Sequence, residues 1–194
     1  LTTVFLATTA LAADITIDLT EKHQQMRGIG ASMNIAPWKY KNGPFYTEVN
    51  LDSVGIYDSL ARDISVIRTW MSTGFGSNLK AGSTDPHVRA LVDRGIRQVV
   101  MTSLTPPAEW KKNQSYTMTV SGDTENYLLP EYYDDFAQMC IDSINGFKAS
   151  LGLDLLALNF QNEPYFNEPY GSCIFRPSEY YTMLQELTSQ AKAQ

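Results

Sequence analysis

Glu163 stands where a short apolar run stops. Leu153, Leu155, Leu156, Ala157, Leu158 and Phe160 precede it, three polar side chains (Gln161, Asn162 and Glu163) follow in a row, and Pro164 then removes a backbone donor. The run predicts a strand buried on both faces. A buried strand that ends in a carboxylate beside an amide is what a barrel enzyme places at its catalytic rim. The same pattern would also suit a polar strand end that only caps a loop.

The elements that would carry such a rim alternate along the chain. Residues 14–18 alternate polar and apolar and read as a half-exposed strand. Gly28 and Gly30 flank Ile29 and suit a tightly packed first barrel strand; no Gly-x-Gly-x-x-Gly is completed, so a dinucleotide site is not expected. A helix over 52–62 carries Val54, Tyr57, Leu60 and Ala61 on one side, and a β-branched strand over 64–71 breaks at Gly74 and Gly76. Asp85-Pro86 opens a helix that Gly95 stops, and a strand over 96–103 follows. The loop over 105–110 is stiffened by Pro106 and Pro107 and presents the Trp110 indole. Pro130-Glu131 starts a long helix that Gly152 closes, the strand before Glu163 comes next, and a last helix from near Pro177 carries Tyr181, Leu184, Leu187 and Ala191. Strand followed by helix, four times over, implies parallel right-handed units in a doubly wound sheet or a (β/α)₈ barrel. Both folds gather ligands at the carboxyl ends of their strands. The rim candidates are then Ser32 and Trp38, Arg68 and Trp70, Trp110, and Asn162 with Glu163: rings, amides and charges, with no phosphate cradle.

Composition narrows the partners. Of 194 residues, 43% are hydrophobic and 19% charged, as in a soluble globular protein with one core. A formal charge of -6 with no Lys/Arg run excludes the basic stripe a nucleic-acid partner needs. His23 and His87 lie far apart with no Cys cluster, so no metal-ligand set forms, and no cofactor is expected. Residues 1–13 are uncharged, mostly small or apolar, and end in Ala10-Leu11-Ala12-Ala13, a pattern signal peptidase cuts. They are too short for a membrane span of ~20 apolar residues, and the chain opens on Leu. The segment therefore reads as a partial signal peptide on a secreted, non-membrane protein, with residues 14–194 as the folded portion. Asn113-Gln114-Ser115 is a glycosylation sequon. Cys140 shares helical spacing with Phe136, Ile144 and Phe147 and should face a core. Cys140 and Cys173 could pair in an oxidising compartment, but two free thiols are the favoured reading.

Four motifs in order, Arg27-Gly28-Ile29-Gly30-Ala31-Ser32, Ile67-Arg68, Pro106-Pro107-Ala108-Glu109-Trp110-Lys111-Lys112-Asn113 and Phe160-Gln161-Asn162-Glu163-Pro164, resemble glycoside hydrolase family 30, of the clan of retaining barrel glycosidases. Glu109 departs from that family's more usual Pro-Pro-Ala-Trp loop and bears on how Trp110 is aimed. The resemblance implies an α/β fold in which this chain is the first half of a (β/α)₈ TIM barrel, with the strand near 15–17 belonging to a side β-sandwich. It implies a secreted retaining β-glycanase, monomeric when complete, acting on a polysaccharide of the glucuronoxylan, β-1,6-glucan or β-1,6-galactan type. The loop Tyr170-Gly171-Ser172-Cys173 looks more like the polysaccharide-acting members than those that cleave glucosylceramide. By the same resemblance Glu163 is the general acid/base, Asn162 binds the sugar 2-hydroxyl, and Arg68 lies beneath the nucleophile and holds it ionised. Trp110 is a stacking platform, Trp38 a weaker one, and Tyr165 flanks the site. A structural ion pair remains open for Arg68, and ordinary packing for Trp38 and Trp70. Glu168, five residues beyond Glu163, is expected at the surface and not as nucleophile. The family's nucleophile sits on the seventh strand, absent from this chain, so the fragment alone is expected to be inactive. A non-catalytic carbohydrate-binding relative is the alternative, and a short open-sheet protein with unpaired edges is a third.

Overall fold

The computed structural model describes residues 20, 28–32, 55–71 and 86–193. The leader, the strand expected over 14–18, Trp38 and the helix cap Asp85 lie outside the described residues. The order is β1 (Gly30–Ser32), α1 (Ile56–Asp63), β2 (Val66–Trp70), α2 (Pro86–Asp93), β3 (Gln98–Thr102), two 3₁₀ turns (Ala108–Trp110 and Pro130–Tyr132), α3 (Tyr133–Leu151), β4 (Ala157–Asn159) and α4 (Pro177–Ala193).

The four strands form one parallel sheet in the order β1-β2-β3-β4. Each strand lies beside its sequence neighbour, as in a barrel; the order reversal at which a doubly wound sheet opens its crevice does not occur. Register is tight at Gly30, which faces Val66. A Cβ at Gly30 would sit 2.5 Å from the Val66 carbonyl oxygen, so a larger residue must push β1 off β2. Gly30→Ala is expected to destabilise the chain by about 1–3 kcal/mol, measured as a lower urea midpoint with an unchanged slope.

Helix boundaries follow local chemistry. Pro130 begins a 3₁₀ turn that runs into α3; Asp134 and Asp135 sit in the first turn and Lys148 in the last, matching the helix dipole. Gly152 then ends the helix at φ 65°, its N–H donating to the Lys148 carbonyl at 2.8 Å. Inside, Ile67, Val99, Val88, Leu91, Phe136, Cys140, Phe147 and Met183 are buried to 1% exposure or less. Cys140 and Cys173 are both buried free thiols. Burial raises each to about 12, which leaves them unreactive.

Two expectations fail here. The strand leading to Glu163 is three residues long and half-open: Ala157 is exposed, Leu158 and Asn159 only half-buried, and Leu156 is 42% exposed. Among the described residues β4 pairs with β3 alone, so its apolar side chains have no neighbour beyond that edge. On α4 the inner stripe is Met183 and Leu187, whereas Tyr181 and Leu184 are exposed. Met183 and Leu187 stand four apart, so they face the same side of the helix and meet α3.

Candidate active site

Three strand ends converge. From β2, the Arg68 Nε donates to Thr102 Oγ1 of β3 at 2.9 Å, and its Nη2 donates to Asn162 Oδ1 beyond β4 at 2.6 Å. The guanidinium lies 4.3 Å from the Trp70 ring centroid, a cation–π contact that fixes its plane. With Oδ1 of Asn162 committed to a cation, its amide must point Nδ2 the other way, and Nδ2 donates to Glu163 Oε2 at 3.2 Å. The Tyr170 hydroxyl reaches the same oxygen at 3.4 Å. Arg68 thus orients Glu163 through one amide. Among the described residues it meets no carboxylate.

The backbone presenting these groups is tightly held. Ser103 N–H donates to the Asn159 carbonyl at 2.9 Å, and Asn162 N–H to the Ser103 carbonyl at 2.7 Å. Gln161 is buried, its Nε2 donating to the carbonyls of Leu104 and Asn162. Glu163 follows at φ 42°, a left-handed conformation rare for a side-chain-bearing residue. Strain of that kind, roughly 1–3 kcal/mol, persists only where the surroundings enforce it, and it gathers at functional sites. Here the enforcing contacts are Phe166 N–H to the Glu163 carbonyl at 2.9 Å and Phe175 N–H to the Pro164 carbonyl at 2.7 Å.

Around the exposed Glu163 stand exposed rings: Tyr165 at 78%, Phe166 at 58% and Tyr170 at 38%. Trp110 differs from the presented indole expected of it. It is half-buried, and one ring face stacks on Tyr132 with centroids 5.8 Å apart and planes 10° apart. Phe160 turns into the core, 4.6 Å from Tyr180 and edge-on to Phe175. Ser32 is exposed at the end of β1.

Glu168 is a correction. Instead of lying at the surface it is 1% exposed, and burial first, then the neighbouring Glu163 carboxyl, raises it to about 8. The loop closes over it because Lys111, also fully buried, reaches across: its Nζ donates to Ser115 O at 2.6 Å and Ser172 O at 2.7 Å. Burial lowers that ammonium to about 8. Thr105 Oγ1 donates to the same Ser172 carbonyl at 3.0 Å. Asp123 anchors the far side. Desolvation opposes its ionisation, but hydrogen bonds from Thr119, Asn113 and Glu125 outweigh that and hold it at about 2. The sequon residue Asn113 spends both N–H groups on Thr117 O and Asp123 Oδ2, at 3.0 Å each, so a glycan on its nitrogen would take one of them away. Neither buried charge could be read from a hydrophilic loop sequence. No group of three or more metal-ligating side chains occurs among the described residues.

No family model matches the chain, and no curated protein matches it. Solved structures do. A glycoside hydrolase family 30 subfamily 8 xylanase from Clostridium acetobutylicum superposes with a TM-score of 0.64 at 22% identity, over 89% of this chain and 41% of that one. The fold is that of part of a glycoside hydrolase. An endo-β-1,6-glucanase matches with a TM-score of 0.64 at 20% identity, over 90% of this chain and 43% of that one. A conserved exported protein from Bacteroides fragilis matches at 0.67 and 18%, over 91% and 43%. The chain therefore spans about two fifths of the length of these structures, and at such identities the likeness is one of fold. No helix among the described residues is long and apolar enough to cross a membrane.

Proposed function

We propose that this chain is the acid/base-bearing half of a secreted retaining β-glycoside hydrolase that acts on a polysaccharide. The observation that carries this reading is the relay from Arg68 through Asn162 to Glu163 at the end of β4, rimmed by exposed aromatic rings. In this reading β1–β4 form the first half of an eight-stranded barrel, and the open edge of β4 is where a fifth strand pairs. Glu163 protonates the departing glycosidic oxygen and later takes a proton from water. Asn162, whose second Nδ2 proton has no partner among the described residues, donates it to the sugar 2-hydroxyl. Tyr165 stacks on the sugar, and Trp110 contributes its uncovered face.

A retaining reaction also needs an attacking carboxylate ~5–5.5 Å from the acid. Glu168 does not suit that task, being buried and protonated at neutral pH. We place the nucleophile outside the described residues, above the Arg68 guanidinium. The test is a panel of β-1,6-glucan, β-1,6-galactan and glucuronoxylan with their oligosaccharides. The chain should bind one class, with Asn162 and Tyr165 resonances moving, and show no turnover; a longer polypeptide carrying the remaining strands should hydrolyse the same class with retention. Binding without turnover by that longer polypeptide would establish the non-catalytic alternative instead.

A further inference from the structure

Glu168 is a buried carboxyl in a place where an ionised one has nothing to accept from. Both of its oxygens lack a hydrogen-bond donor. The donors nearby are already engaged. Ser172 Oγ–H donates to the Glu168 carbonyl at 3.1 Å, while the same oxygen accepts from Glu168 N–H at 3.2 Å and from Asn126 Nδ2 at 2.9 Å. The other Asn126 N–H goes to Asn167 Oδ1 at 2.6 Å. From the packed segment 111–128, Lys111 is held by the Ser115 and Ser172 carbonyls, and Asp123 by Asn113, Thr119 and Glu125. The backbone of that segment holds the loop as well: Met118 N–H donates to Glu168 O at 3.2 Å, and Ser172 N–H to the carbonyl of the titratable Tyr116 at 3.1 Å. On its own loop the titratable groups are Tyr170, whose hydroxyl meets Glu163, and Glu163 itself. From β2, Arg68 acts on Glu163 only through Asn162.

Two ionised carboxylates can only accept, so they repel; with one proton between them the contact becomes a charge-assisted hydrogen bond. We propose that Glu168 is a positioning residue that keeps one proton beside Glu163, its O–H directed at the Glu163 carboxylate. This rests on the reading of Glu163 as acid/base. During glycoside cleavage the proton on Glu163 passes to the leaving oxygen as the C–O pair departs with it. The new Glu163 carboxylate is met by the Glu168 O–H, whose proton stays on Glu168. Glu163 then removes a proton from the attacking water and is restored. Glu168 thereby steadies the charge that Glu163 acquires, without touching substrate. A carboxylic acid kept neutral by its surroundings so that it can donate is a known device of active sites.

The experiment is a ¹³C carboxyl NMR titration of the full chain, of Glu163→Gln and of Glu168→Gln. In the unaltered chain the Glu168 signal should still report an acid at neutral pH, and Glu163 should respond in the same high step. Glu163→Gln, a change at an exposed side chain, should lower the Glu168 midpoint by about one unit or more, since interacting sites titrate as a pair. Glu168→Gln should leave Glu163 with a single ordinary step. A Glu168 signal that titrates in the usual carboxylate range would overturn the proposal. So would a high Glu168 midpoint indifferent to Glu163→Gln, because burial alone would then account for it. The second of these comparisons holds even if Glu168→Gln does not fold. No substrate is involved, so coupled carboxyls alongside a hydrolytically inert longer polypeptide would sink the acid/base role and leave the pair standing.

Discussion

Glu163→Gln in a polypeptide that turns over β-glycans is expected to lower kcat on natural substrates by about 10²–10⁴-fold, the range a general acid supplies. The amide keeps the size of the carboxyl, and its oxygen can still accept from Asn162 Nδ2 and Tyr170, so the loop at φ 42° has no cause to move. What disappears is a transferable proton. The loss should depend on the leaving group: an aryl glycoside that departs as a stable phenolate needs little protonation, and its glycosylation step should be nearly spared. Steady-state and burst kinetics on a natural glycan and a nitrophenyl glycoside make the comparison. Equal losses on both, or none on the glycan, would remove Glu163 from the acid role.

Lys111→Ala should cost the chain about 3–5 kcal/mol, as when a buried hydrogen-bonded charge is deleted and its partners are left unpaired. Lys111 ranks among the largest fully buried side chains, and its ammonium holds the carbonyls of Ser115 and Ser172 from opposite segments. Truncation empties that volume and orphans both acceptors. In a chain of this size that corresponds to a fall in Tm of roughly 6–20 °C. Because Ser172 is the point through which Lys111 and Thr105 hold the loop over Glu168, the Tyr170 contact to Glu163 should loosen with it. Calorimetry reads the first effect and hydrogen exchange across 165–175 the second. Lys111→Met, which refills the volume without the donors, should recover part of the stability; full recovery would show that packing alone mattered.

The parallel α/β order was legible because periodicity encodes burial locally. β-branched residues clustered over 66–70 and 98–102, and Pro86, Pro130, Gly95 and Gly152 stood where their backbone preferences end or begin helices. The convergence of Arg68, Asn162 and Glu163 could also be anticipated, since each falls at a strand's carboxyl end and parallel register brings those ends together. The apolar run before Glu163 misled for a related reason. Hydrophobicity records that a residue can be buried, and β4 lies at an edge where nothing among the described residues covers it.

What the sequence determined by itself, then, was the succession of elements and the place of the polar strand ends, because those depend on spacing of 2 or 3.6 residues and on Gly and Pro geometry. The surroundings of Glu168 and Lys111 were decided only by tertiary structure. Their segments look alike in sequence, polar and rich in Tyr, Asn and Ser, and a charged side chain in such a loop ordinarily faces water. Here segment 111–128 folds against 164–175, so that carbonyls surround one charge and an acid faces the other. A carboxyl's protonation state depends on which donors and charges reach it through space, and that arrangement exists only once distant parts of the chain have met.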